Sequence, residues 1–367
     1  MTSIGKNAFN FCYRLRSVSL PNSVTHIDNW AFANCISLPG ITIPNSVTQI
    51  GEDAFDNCSS LTSITIPYGV MSVGGSAFAG CSSLASITVS DSVTSIGALA
   101  FSYCDSLTSI VIPDSVTSIG SLAFGYCESL NSINVDADNA FYASVDGVLY
   151  DKTLQTLLCV PGGKQLDFVI PGSVTVIGDS AFCECSGLTS ITIPDSVTVI
   201  GDYAFYGCSS LTSITIPSSV TTIGDPNAFF RCNNLMNISV DKNNNYYASV
   251  DGALYDKALR TLICVPAGKQ LGFVIQDDVT NIGKYAFYNC SGLTSITISS
   301  SVRTIGYGAF LNCSNLTSIT IPSSVTSIGG DAFLNCPSDL TIYGEPGSYA
   351  ETYAAENGYA FEVMAGA

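Results

Sequence analysis

The sequence predicts a solenoid, a rod built from stacked copies of one short repeat. An Ala-Phe pair with a Cys three positions after the Phe recurs twelve times along the 367 residues. The first six of these cysteines recur at one constant interval. The cysteine positions are 12, 35, 58, 81, 104, 127, 185, 208, 232, 290, 313 and 336. One repeat of this length cannot enclose its own apolar face, so neighbouring repeats must stack.

Each repeat begins with a short strand that has one buried face. In the segment LTSITIP, Ile64 and Ile66 alternate with Ser and Thr, and Pro67 ends the strand because it has no N–H to donate. The pattern VTxIG follows, and its Gly predicts a bend; Asp28 takes that place once. The last segment, xxAFxxC, predicts a single helical or 3₁₀ turn that directs Phe and Cys into the core.

Two interruptions break the period, near residues 136–171 and 241–276. They are near copies of each other, and they lengthen the intervals from Cys127 to Cys185 and from Cys232 to Cys290 by the same amount. Each contains Asp-Gly between apolar segments, which is a strong hairpin signal. A second reversal is predicted at Asp-Lys, after which TLLCVP or TLICVP rejoins the sheet. The four pairs are Asp146-Gly147, Asp151-Lys152, Asp251-Gly252 and Asp256-Lys257.

The predicted domains are a solenoid of twelve repeats over residues 1–336 and a C-terminal cap over residues 337–367. An insertion near Pro226 makes the interval from Cys208 to Cys232 one position longer than the regular one. After LTIYG the pattern stops, and the sequence predicts a short helix from Tyr349 to Glu356 and then a strand. Because a terminal repeat must cover its open apolar face, we interpret this segment as a cap.

The repeat resembles the BspA-like (Treponema pallidum type) leucine-rich repeats. The shared pattern is Leu-x-x-Ile-x-Ile-Pro-x-x-Val-x-x-Ile-Gly-x-x-Ala-Phe-x-x-Cys, and it extends over essentially the whole chain. The resemblance implies a right-handed, curved, strand-rich solenoid with a concave parallel sheet. It also implies export to the surface of a bacterium or of certain parasitic protists, adhesion to host proteins or other cells, and no enzymatic activity. A parallel β-helix is the structural alternative, although its turns lack a regular Ala-Phe pair.

Composition and charge exclude several classes of partner. The formal net charge is −17, so the surface repels phosphate backbones and anionic lipid heads, and we expect no nucleic-acid partner. No apolar run is long enough to span a membrane, so we expect no membrane insertion. The chain starts partway through a repeat and shows no signal peptide. We therefore expect an extracellular or cell-surface fragment, and a monomer.

The residues that usually carry chemistry do not form a predicted site. Twelve of the fifteen cysteines share one column that points into the core, so we expect buried free thiols and neither disulfides nor zinc. Cys183 lies outside that column, where it is either a reactive surface thiol or a half-buried inert one. His26 is the one histidine and fills a variable repeat position. Turn formation explains Asp136, Asp138 and Asp146 better than a calcium site does. We predict no cofactor, no metal and no catalytic residue.

Binding is the remaining class. The sheet presents mostly Ser and Thr, such as Ser63 and Thr65, and lacks the Trp, Tyr and Arg that anchor interfaces. We therefore predict binding at the interruptions, to an extracellular host or cell-surface protein or alternatively to a glycan. A carboxylate-only enzyme is a third hypothesis. The predicted binding residues are Tyr142, Tyr150, Tyr246, Tyr247 and Tyr255. A second set lies beside the Ala-Phe turns: Tyr103, Tyr126, Tyr203, Tyr206, Tyr285 and Tyr288.

Overall fold

The computed structural model describes residues 1–164, 168–224, 226–269 and 273–364. The ends of both predicted interruptions, 165–167 and 270–272, lie outside the described residues, as do residue 225 beside the insertion and the last three residues of the cap. The chain forms two compact bodies. The first body contains Met1–Phe168 and Ser173–Gly187, and the second contains Val169–Gly172 and Leu188–Ala367.

The first body is a parallel β-solenoid whose repeats contribute two kinds of strand, one from LTSITIP segments and one from VTxIG segments. LTSITIP segments form parallel pairs in register, with strands β4 (Ser63–Ile66), β6 (Ser86–Val89), β8 (Ser109–Ile112) and β10 (Ser132–Val135). The VTxIG segments, predicted as bends, form a second, six-stranded parallel sheet of β1 (Ser3–Ile4), β2 (His26–Ile27), β3 (Gln49–Ile50), β5 (Ser72–Val73), β7 (Ser95–Ile96) and β9 (Ser118–Ile119). No strand is assigned over 15–21 or 38–44, both within the described residues.

The second body repeats this arrangement. Its VTxIG strands are β15 (Val199–Ile200), β17 (Thr222–Ile223), β22 (Asn281–Ile282), β24 (Thr304–Ile305) and β26 (Ser327–Ile328). Its LTSITIP strands are β16 (Ser213–Ile216), β18 (Asn237–Val240), β23 (Ser295–Thr297), β25 (Ser318–Thr320) and β27 (Thr341–Gly344). The predicted solenoid is thus confirmed in both bodies.

The glycine of VTxIG is required by close approach between coils and not by a bend, which corrects our prediction. Gly74, Gly97 and Gly120 do not have the positive φ that would favour glycine. A Cβ added to Gly97 would lie 2.5 Å from the backbone nitrogen of Gly75, one coil earlier. The equivalent distance at Gly120, to the nitrogen of Ala98, is 2.3 Å. The coils therefore stack backbone against backbone at this corner.

The Ala-Phe turns differ from the predicted helical turn. Only Pro226–Phe229 forms a 3₁₀ helix among the described residues. In a typical repeat, Trp30 and Asn34 have φ of 57° and 60°, which no right-handed helix contains. Bonds from Ala31 N to Asp28 O, Ala33 N to Trp30 O and Cys35 N to Phe32 O define overlapping β-turns. The Asn or Gly that often precedes the Cys is favoured because it tolerates positive φ.

Phenylalanine and cysteine form two parallel columns in the core. From Phe9 to Phe124 of the first body, successive rings stack with centroids 5.0–5.9 Å apart. The thiol of Cys81 donates to the carbonyl oxygen of Phe55 at 3.3 Å, and the backbone N–H of Cys58 donates to the same oxygen. Cysteine is therefore both a small apolar residue and a weak donor that satisfies a buried carbonyl.

The predicted hairpins are present in both bodies. In the first body, β11 (Tyr142–Val145) and β12 (Val148–Asp151) are antiparallel, and Asp146 and Gly147 have φ of 50° and 74°, as a type I′ turn requires. Strand β13 (Thr156–Cys159) then joins β14 (Val176–Ile177) in the sheet of VTxIG strands. The second body contains the matching strands β19 (Tyr247–Val250), β20 (Ala253–Asp256) and β21 (Thr261–Cys264).

The C-terminal segment packs against the last repeat of the second body. Helix α1 spans Tyr349–Asn357 and ends at Gly358, whose φ of 76° is left-handed. Tyr353 is buried and its ring meets the ring of Phe333, the last of the phenylalanine column, at a centroid distance of 5.9 Å. Strand β28 (Ala360–Val363) pairs in parallel with β27. The helix and strand therefore pack against the last phenylalanine of the column and the last LTSITIP strand.

Candidate binding surfaces

The five tyrosines predicted for binding have different environments in the structure. Tyr150 and Tyr255 are 1% and 0% exposed, so they are core residues under the hairpins and offer no contact area; this corrects the prediction for these two. Burial raises the pKa of each phenol to about 12. Tyr246 is 53% exposed. It and the equivalent Phe141 of the first hairpin are the aromatic side chains that the hairpins present to solvent.

Tyr142 and Tyr247 are half-buried, and their hydroxyl groups bind the edges of the sheets that the hairpins interrupt. The hydroxyl oxygen of Tyr142 accepts a hydrogen bond from the backbone nitrogen of Ile119, at the edge of β9, at 3.0 Å. Tyr247 accepts from Ile223 in the same way. Each phenol thus satisfies a donor that would otherwise pair with the next strand. These two residues hold the hairpins against the solenoid.

Sequence reasoning missed the asparagines that anchor the hairpins. Asn139 is fully buried, and its amide nitrogen donates to the carbonyl oxygens of Pro113 at 2.7 Å and Val116 at 2.9 Å. Its amide oxygen accepts from the backbone nitrogens of Phe141 and Tyr142. Asn244 makes the same four contacts in the second body. The signal was an Asn at the third position after an Asp in both copies, at Asp136 and Asp241.

A strip of six aromatic side chains lies on the turn side of the second body. Phe230 is at its centre, stacked on Tyr288 with centroids 3.9 Å apart and in edge contact with Tyr285 at 5.2 Å. The guanidinium of the exposed Arg231 lies over the ring of Tyr206, 5.5 Å from its centroid. We call this surface the aromatic strip; its rings are Tyr203, Tyr206, Phe230, Tyr285, Tyr288 and Tyr307.

The aromatic strip contains four tyrosines from the second predicted set, and sequence reasoning missed Phe230 and Tyr307. Tyr203 and Tyr307 are the most accessible members, at 41% and 42% exposed. The other four rings are partly buried and support them. In the first body, the second set gives one stacked pair, Tyr103 and Tyr126, with centroids 4.3 Å apart. The strip is therefore the larger accessible aromatic surface of the two.

The Ser/Thr face of the LTSITIP sheet is regular. Strands β4, β8 and β16 alternate between exposed and buried residues. The exposed positions are occupied by Ser and Thr, except at Val111, which is 58% exposed. Small hydroxyl side chains bury little area and provide no large anchor for a partner. This face is consistent with the scaffold role predicted from its sequence.

The cysteine thiols and Asp136, which could in principle carry chemistry, are explained by burial and by turn formation. All fifteen cysteines are free thiols, and burial raises the pKa of Cys81 and Cys183 to about 12, which suppresses the reactive thiolate. Cys183 is 7% exposed, so the inert alternative is the correct one. A carboxylate oxygen of Asp136 accepts the backbone N–H of Asp138 in a turn. Within the described residues, no three His, Cys, Asp or Glu side chains could hold a metal ion, and no helix is long and apolar enough to cross a membrane.

The chain belongs to the BspA type leucine rich repeat family, which matches residues 2–141, 164–264 and 269–349. The resemblance predicted from the repeat is therefore confirmed. No curated protein matches the chain.

Solved structures of bacterial proteins are similar to this one. A leucine-rich repeat protein from Eubacterium ventriosum is 28% identical over 82% of this chain and 83% of its own, with a TM-score of 0.59. A leucine rich cell surface protein from Faecalibacterium prausnitzii is 31% identical over 96% of this chain and 85% of its own, with a TM-score of 0.51. These similarities support the fold.

Proposed function

We propose that the protein is a non-enzymatic binding scaffold outside the cell, which engages a host or cell-surface protein through the aromatic strip. The observation that carries this proposal is the combination of accessible tyrosines, supporting rings and an exposed Arg231 in one surface. Tyr and Arg are enriched among the residues that dominate interface energies. Tyr also supplies large contact area at low entropic cost, because only two side-chain torsions become fixed.

The hairpins provide a second, smaller candidate surface. Phe141 and Tyr246 occupy equivalent positions and are 52% and 53% exposed. Buried asparagines hold both segments rigid, so a partner would not have to order them on binding. In this proposal the regular Ser/Thr face is the support, and binding occurs where aromatic residues interrupt the repetition.

A panel that combines extracellular proteins with a glycan array tests the class of partner. We expect saturable binding to at least one protein and no binding to free glycans, because the strip offers aromatic and cationic anchors in a strongly acidic chain. Tyr246→Ser tests the hairpin surface. A loss of binding in this variant would show that the partner contacts the hairpin and not the aromatic strip. Binding to sugars alone would overturn the proposal in favour of a carbohydrate-binding module.

A further inference from the structure

The first body contains an open cavity of about 270 Å³ beside the first hairpin. Its walls are mainly apolar: Phe124, Leu149 and Leu158 line it, together with the thiols of Cys159 and Cys183. Leu158 and Cys159 are partly exposed, so the cavity can be reached from solvent. An apolar cavity of about 150 Å³ is sufficient to hold benzene. The space is therefore large enough for a substituted or two-ring aromatic molecule.

The second body contains a near copy of this site, and the space equivalent to the cavity is filled there. When Asp146-Gly147 is aligned with Asp251-Gly252, five lining residues of the first cavity correspond to residues that line a cavity of about 10 Å³. Three of the five differ in kind between the copies: Gly125, Ser180 and Cys183 in the first body are replaced by Phe230, Tyr285 and Tyr288 in the second. Those three rings pack against each other at 3.9 and 5.2 Å. The second copy thus fills with its own aromatic rings a space that the first copy leaves open.

The features that the two sites share indicate that the open space is built into the fold. Phe124 and Cys159 have identical equivalents in Phe229 and Cys264. The backbone is similar at one of the positions that differ, since Ser180 and Tyr285 have φ of 56° and 55°. The two copies differ in backbone beside Phe230, because the second copy has the inserted residue and the 3₁₀ helix Pro226–Phe229 where the first has β-turns. An aromatic ring suits the first site because rings of that size occupy the equivalent space in the second.

The charge at the opening favours one kind of aromatic molecule. Asp179 is the one carboxylate among the residues that line the cavity, and Lys284 stands at the equivalent position of the second copy. The whole chain carries a net charge of −17, so an anionic molecule would be repelled. We propose that the cavity is a binding site for a small aromatic molecule that is neutral or positively charged. This proposal stands apart from the protein-binding function, because the strip residues do not line the cavity.

Isothermal titration with indole, tryptamine and indole-3-acetate tests the site. These probes share one ring system and differ in charge, so tryptamine should bind at least as tightly as indole, and indole-3-acetate at least tenfold more weakly than tryptamine. Cys183→Tyr, which copies the second body, should weaken tryptamine binding at least tenfold. Cys183→Ser, which keeps the space open, should stay within about threefold of the original affinity.

Ser180→Tyr is a second filling variant, chosen because the same backbone already holds a tyrosine at position 285. It keeps the proposal testable if Cys183→Tyr does not fold. Gly125→Phe is a poorer choice, since its Cβ would lie 2.8 Å from the side chain of Leu122. Unchanged tryptamine affinity in a folded filling variant would overturn the proposal. Absence of binding of tryptamine and indole up to about 5 mM would overturn it as well.

Discussion

Replacing Gly97 by alanine is expected to lower the free energy of unfolding by about 3–5 kcal/mol, at the upper end of overpacking effects. The added methyl would lie 2.5 Å from the nitrogen of Gly75 and 2.7 Å from the carbonyl carbon of Gly74. Both atoms belong to the backbone, so no side-chain rotation can relieve the clash. The coils would have to separate, and the hydrogen bond from Gly97 N to Val73 O, now 2.9 Å, would lengthen.

Gly40→Ala is the matched control for this variant. Gly40 lies in the same body and is exposed, and open space surrounds the position of its added Cβ. Its φ is also outside the left-handed region, so alanine should be neutral or stabilise by up to about 1 kcal/mol. Urea unfolding followed by circular dichroism measures both variants. Equal stabilities of Gly97→Ala and Gly40→Ala would contradict the close stacking of the coils.

Replacing Asn139 by alanine is expected to cost about 3–5 kcal/mol, because four backbone groups lose a hydrogen bond at once and two of these bonds are buried. The amide of Asn139 uses both donors and both acceptor positions, so no other side chain of that size reproduces the set. Asn139→Asp should be no better, since a carboxylate would face the carbonyl oxygens of Pro113 and Val116. The hairpin would detach before the rest of the body unfolds.

Hydrogen exchange at the amides of Phe141 and Tyr142, together with urea unfolding, measures this loss. Asn131→Ala is the control, because Asn131 is exposed and its amide makes a local bond to Ser129 at 2.9 Å. We expect the control to change stability by less than about 0.5 kcal/mol. If Asn139→Ala and Asn131→Ala give the same protection and the same stability, the asparagine does not anchor the hairpin.

The sequence predicted those parts of the fold that depend on a repeated pattern. The constant interval between the cysteines specifies stacking, and Asp146-Gly147 specifies a type I′ turn because both residues must adopt positive φ. The short strands of VTxIG could not be predicted in this way. They contain too few residues to show alternation, and they exist because glycine lets adjacent coils approach closely.

The candidate surfaces were harder to predict because they depend on contacts between distant residues. Tyr150 and Tyr246 both lie in hairpins, yet one is buried and the other is exposed, since the strand that carries Tyr150 is covered by the solenoid. Phe230 and Tyr288 lie on opposite sides of the second interruption in the sequence, yet their rings stack with centroids 3.9 Å apart in the folded chain. A comparison of the two copies residue by residue would have revealed the contrast between Gly125 and Phe230.

The most direct test of the account compares two pairs of exposed tyrosines in their affinity for the partner protein. Tyr203→Ser with Tyr307→Ser removes the accessible rings of the aromatic strip. Tyr13→Ser with Tyr68→Ser removes rings that are 51% and 75% exposed on the first body, outside the strip. Surface plasmon resonance should show at least a tenfold loss for the strip variant, as expected for removal of two anchor residues. The control should stay within about twofold. Equal affinities of the two variants, or a greater loss in the control, would contradict the claim that the strip is the binding surface.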